Sequence, residues 1–176
     1  MQTKNSKFLG VILLMFILAI LPFKINAQGL TLDQLISFQK KDISEVNDIL
    51  ISKGWSFSNS KKETTVEDGF TRWSYDKILG QGAQAWITKF FAENTSSRIG
   101  YQFVSKQDYL ALKKSIISYG MKKLDSKVGD NYIMTYYVGK NYAVRIINVI
   151  KESDTDSYYI FTIYTKTDYN HMIINQ

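Results

Sequence analysis

Leu50-Ile51-Ser52-Lys53-Gly54-Trp55 and Ile116-Ile117-Ser118-Tyr119-Gly120-Met121 are the two stretches on which the fold turns. Each closes an apolar period of about 3.6 at a glycine, which can take the left-handed conformation that ends a helix, and each leads into residues that alternate with period 2. The chain therefore reads as helix followed by strands, twice. The match between the two stretches predicts a tandem duplication in which each part is a helical segment followed by four strands, the first over 28–104 and the second over 105–176, together forming one compact domain.

Upstream of Gly54, Thr31 with Gln34 and Asp42 with Glu45 have the spacing of a capping box, a short polar side chain followed three residues later by Gln or Glu. The apolar positions Leu32, Leu35 and Ile36, then Ile43, Val46, Ile49 and Leu50, predict two short helices or one helix kinked near Lys40-Lys41. Upstream of Gly120, Ser105 and Asp108 signal another N-cap, and Tyr109, Leu112, Ile116 and the neighbouring Ile117 give that helix its apolar side.

Strands are predicted from Trp55, around Trp73-Tyr75, over Gln84–Ala92 after the Gly80-Gln81-Gly82 turn, and over Arg98–Val104 after a hairpin loop around Asn94–Ser97. The second set comprises a weak segment at Met121–Leu124, then Asn131–Val138, Tyr142–Ile150 beyond the Gly139-Lys140-Asn141 turn, and Ser157–Lys166 after the polar Glu152–Asp156 loop. The tail to Gln176 shows no pattern. Amphipathic helices and strands with an apolar face predict an α+β fold: one curved antiparallel sheet, helices packed on one face and the other face open.

In outline this layout resembles the tandem-repeat arrangement of the secreted β-lactamase inhibitor proteins, in which an open concave sheet face grips a partner. No motif of that family is present, and no residue is carried over. The disulfides usual there are impossible in a chain without cysteine.

The N-terminus predicts a place. A basic, polar start through Lys7 precedes an apolar run from Phe8 to Phe23 and then Lys24-Ile25-Asn26-Ala27, the order of a cleavable signal peptide over residues 1–27. The run falls short of the roughly 20 residues that span a bilayer as a helix. The expected product is a soluble exported protein, periplasmic or extracellular, with no disulfide, thiolate metal site or thiol nucleophile.

Of the 22 Lys and Arg, Lys4, Lys7 and Lys24 precede Gln28 while all 16 Asp and Glu follow it, so the net charge of +6 falls by three on cleavage. Scattered charge of that size does not make a nucleic-acid footprint.

Function is read from the aromatics. In Tyr132–Tyr137 and Tyr158–Tyr164 apolar side chains occur on both parities, so some tyrosines must lie on the face the helices leave open. Rings with a polar handle suit an interface. Trp86, Tyr136, Tyr137, Tyr159 and Tyr164 are the candidate binding residues, and a protein or peptide is the expected partner.

Other chemistry is poorly served. His171 with Asp168 is too few ligands for zinc, and no serine stands in a nucleophile-elbow context. Glu67-Asp68 and Asp154-Asp156 are carboxylate pairs in turns, the basis of an alternative reading as a small envelope hydrolase. A third reading is a structural protein that forms homodimers or larger assemblies through its aromatic face. No cofactor is implied.

Overall fold

The computed structural model describes residues 29–65, 67–78, 82–92, 95–150 and 157–173. The expected signal segment, the Gly80-Gln81 turn residues, Asn94 of the expected hairpin loop and the Glu152–Asp156 loop lie outside them. In chain order the elements are α1 Leu32–Lys40, α2 Ile43–Ser52, β1 Trp55–Lys61, β2 Gly69–Ile78, β3 Gly82–Ala92 and β4 Thr95–Phe103. After these come α3 Lys106–Ser118, β5 Lys122–Val128, β6 Tyr132–Val138, β7 Tyr142–Val149, β8 Tyr158–Thr165 and α4 Lys166–Ile173.

Both capping boxes form. Thr31 Oγ1 accepts from the Gln34 amide while Gln34 Oε1 accepts from the Thr31 amide, and Asp42 and Glu45 make the same exchange. Lys41 between them is extended, so the segment is two helices. Gly54 and Gly120 end α2 and α3 with φ of +83° and +82°, where a side chain would be strained.

The strands form one antiparallel sheet in the order β1-β2-β3-β4-β8-β7-β6-β5. Each group of four runs as a meander from an edge to the centre, where β4 meets β8. The central pairs are Ile99↔Ile163, Gly100↔Thr162 and Tyr101↔Phe161. A two-fold rotation about the Gly100–Thr162 pair exchanges Ile99 with Phe161 and Tyr101 with Ile163, so the seam maps onto itself. Both edge strands carry a bulge at the same offset, at Ser58 and Leu124, each the fourth residue after the left-handed glycine.

Helices α1, α2 and α3 cover one face, where Leu35, Leu50, Trp55, Trp73, Ile87 and Ile99 join Tyr101, Phe103, Ile116, Val144, Phe161 and Ile163 in the main core. The Trp73 indole donates to Asn47 on α2 at 3.0 Å. Lys89 is buried on the same side and donates to the Phe38 and Gln39 carbonyls at 2.9 and 3.0 Å, taking up acceptors that the end of α1 leaves unpaired.

Three details correct the sequence reading. The tail is not patternless: it forms α4, and this helix lies on the opposite face, where Tyr169 packs with Tyr136, Ala143 and Tyr164. The expectation of helices on one face thus holds for three of the four described. The strand expected at Met121–Leu124 runs on to Val128 with every residue exposed, so it had no apolar face to betray its length. Thr95–Ser97, expected within the loop around Asn94–Ser97, belong to β4, and Thr95 already pairs with Ala92.

Candidate binding face

The face opposite α1–α3 is concave: side chains from β2 at one side and β5 at the other line a single open hollow of about 570 Å³. A flat sheet would hold those strands too far apart to share one hollow, so the sheet curves around it.

Strand registers arrange the lining in three rows. The middle row runs Arg72–Thr88–Gly100–Thr162–Arg145–Tyr136, each residue opposite the next across a strand pair. On one side of it stand Trp86, Gln102, Ile160, Met134 and Lys127; on the other, Phe90, Arg98 and Tyr164. The centre of the floor is shallow because Gly100 has no side chain. A Cβ there would come within 3.3 Å of the Phe90 ring.

The chain has three arginines, and all three line this hollow. Arg72 lies over the Phe70 and Trp86 rings, at 5.4 and 5.9 Å from the centroids, Arg98 over Phe90 at 5.1 Å, and Arg145 over Tyr164 at 5.8 Å. Arg98 is paired with Asp68 at the rim. Among the described residues, no Asp or Glu lines the hollow and no carboxylate is ion-paired with Arg72, Arg145 or Lys127. Burial raises the Tyr164 hydroxyl above the ordinary phenol value, opposed by the positive charge of Arg145 and Arg98.

Of the five candidates from sequence, Trp86, Tyr136 and Tyr164 lie together in this hollow. Tyr136 and Tyr164 are well packed there: the Tyr136 hydroxyl donates to Met134 Sδ at 3.2 Å, and both rings belong to the cluster under α4. Tyr137 and Tyr159 lie on the other face. Tyr137 is part of the main core, and Tyr159 stacks on Tyr109 of α3 with centroids 4.4 Å apart. They are therefore not brought to the open face, because their parity is that of Val144 and Phe161, which the helices cover.

The arginines were not singled out from sequence. Their signal was present: Arg145 interrupts the apolar run Ala143-Val144-Arg145-Ile146-Ile147, and Arg72 and Arg98 stand beside Trp73 and Ile99. A charge in the middle of a central strand calls for an explanation that a lysine at a loop does not.

The remaining candidates do not assemble. Glu67 pairs with Lys61 in an exposed turn, and that lysine holds its carboxyl below the usual range. Asp68 pairs with Arg98, and Asp154 and Asp156 lie outside the described residues. Asp168 is buried at the start of α4, accepting from the Thr165 hydroxyl at 2.5 Å, whereas His171 is exposed. Among the described residues, no group of three or more His, Cys, Asp or Glu could hold a metal ion, and no helix is long and apolar enough to cross a membrane.

Comparison of the chain with protein-family models, with curated proteins and with solved structures finds no match in any of the three.

Proposed function

We propose that this chain is an exported, non-enzymatic binding module that presents its concave sheet face to a protein or peptide partner. The observation that carries this reading is the hollow opposite α1–α3, lined by Trp86, Tyr136 and Tyr164 and by every arginine of the chain. Aromatic and arginine side chains are the residues most enriched at the energetic centres of interfaces. The proposal includes a tandem origin for 28–104 and 105–176. It is supported by the strand order, which mirrors about the β4–β8 seam, and by the matched edge bulges. An internal duplication would build such a face by doubling a half-sheet too small to enclose a ligand.

The test is affinity capture by tagged residues 28–176 from an envelope and culture-medium extract, with Trp86→Ala as the key variant. Trp86 is half-buried in the hollow, so its truncation should weaken capture by about 1 kcal/mol or more while leaving the melting temperature nearly unchanged. Tyr137→Ala serves as the opposite control, expected to lower stability without weakening capture by the protein that remains folded. Enrichment that Trp86→Ala leaves intact, or no enrichment above an unrelated exported protein, would sink the proposal.

A further inference from the structure

The middle row of the concave face has a property that aromatic content does not explain. Arg72 Nε donates to Thr88 Oγ1 at 3.0 Å, and Arg145 Nη2 reaches Thr162 Oγ1 at 3.5 Å. Thr88 and Thr162 flank Gly100 on its two sides. Each guanidinium thus leans from its own strand toward the shallow centre of the floor, one from each half of the sheet.

Their hydrogen-bonding capacity is largely unspent. Arg145 Nε is buried with no acceptor among the described residues, and the contact to Thr162 is long. A guanidinium offers five N–H donors in a planar fork, and holding one half-buried without an anion is costly. Lys127 adds a further cation at one side of the hollow, and among the described residues no carboxylate lines it. Apolar walls stand on both sides of the row: Trp86, Ile160 and Met134 along one, Phe90 and Tyr164 along the other.

Resting on the reading of this face as a binding surface, we propose that its occupant is an acidic segment of a partner polypeptide. Its carboxylates engage Arg145 and Arg72 over Gly100, and the methylene stems of those same side chains lie against Trp86 and Phe90. The threonines that anchor the two arginines are separated by one strand, roughly 10 Å. Alternate side chains of an extended peptide stand roughly 6.7 Å apart on one face. Two carboxylates in a Glu-x-Glu spacing therefore fit between the two guanidiniums, each reached from its outer side. Arginine is suited to this role where lysine is not, because its fork can grip both carboxylate oxygens while its plane stacks on a ring.

The experiment is titration calorimetry of the purified protein, residues 28–176, with the capped peptide Gly-Glu-Phe-Glu-Phe-Glu-Gly and its analogue carrying Gln at all three Glu positions. The expected result is binding of the acidic peptide, at least tenfold weaker binding of the Gln analogue, and affinity that falls as salt is raised. Arg145→Gln and Arg72→Gln should each weaken the acidic peptide at least fivefold. Arg72, at the margin of the hollow, keeps the test alive if Arg145→Gln fails to fold.

Equal affinity for the two peptides overturns the acidic occupant while leaving a binding face in place. Binding of inorganic phosphate or glutarate without binding of either peptide overturns a polypeptide occupant. Peptide binding that survives Arg145→Gln, Arg72→Gln and Trp86→Ala alike puts the site elsewhere and overturns both readings. Absence of binding by every probe at millimolar concentration overturns the acidic-segment proposal, whereas loss of the Trp86-dependent capture is what overturns the module itself.

Discussion

Lys89 is a lysine buried where its type is ordinarily exposed. Burial pushes its ammonium down to about 8, opposed by the Asp42 carboxylate, while two carbonyls at the end of α1 accept its protons. Between pH 8 and the ordinary lysine value of 10.5, the unfolded chain keeps a proton that the folded chain has released. Stability then rises with pH, since the unfolded state binds more protons. Below pH 8 both states are charged and the contribution is flat. Tyr101, Tyr164 and Tyr169 work the other way above pH 10, because burial raises all three and the folded state then holds the extra protons. Urea denaturation of the protein and of Lys89→Met at pH 7.5, 8.5 and 9.5 isolates the lysine. The wild type should gain stability relative to the variant across this series, and parallel curves would remove the buried lysine from the account. The residue scale also marks where sequence reading stopped. Parity showed that Tyr136 and Tyr137 face opposite ways, but which way the helices lie is decided by the packing of Leu35, Leu50 and Ile116, which no strand pattern contains.

Among elements, helix starts and strand order along the chain were the legible part, because caps and alternation are local. Thr31, Asp42 and Ser105 all cap as their spacing predicts. Helix α4 carries the same signal in Thr165 and Asp168, and was passed over because eight residues offer little apolar periodicity around Tyr169. Its start is doubly tied: Thr165 Oγ1 accepts from the Asp168 amide at 3.1 Å and donates to the Asp168 carboxylate. Thr165→Ala should cost about 1 kcal/mol, the usual loss for an N-cap hydroxyl. It should also free Tyr169 from the Tyr136 ring, 6.1 Å away centroid to centroid. Urea unfolding followed by tyrosine fluorescence reads both effects; a variant as stable as the parent would mean that α4 contributes little to the sheet it covers. The exposed strand β5 was misjudged for the reverse reason, since pairing to β6 defines it and its own residues do not.

Across the whole molecule, the concave face was anticipated as a category and missed in its chemistry. An open aromatic face follows from period and composition. The convergence of Arg72, Arg98 and Arg145 depends on the register between β4 and β8, strands far apart in the chain, which only the assembled sheet provides. The two meanders are built of neighbouring hairpins, but the β4–β8 seam joins residues such as Gly100 and Thr162 across the whole second set of elements. Local pairings close early and distant ones late, because loop closure must precede their reward. Pulse-labelled hydrogen exchange during refolding should therefore protect the hairpin amides of each half before the β4 and β8 amides that bond across the seam, and simultaneous protection of both sets would refute that sequence of events. Placing β8 in the middle of the sheet has a kinetic consequence. Until β4 and β8 meet, the chain is two half-sheets with their central edges open, and Ile99, Tyr101 and Phe103 have a neighbour on the β3 side alone. In that order of events, the last step of folding is a zipper that closes the core and completes the concave floor together.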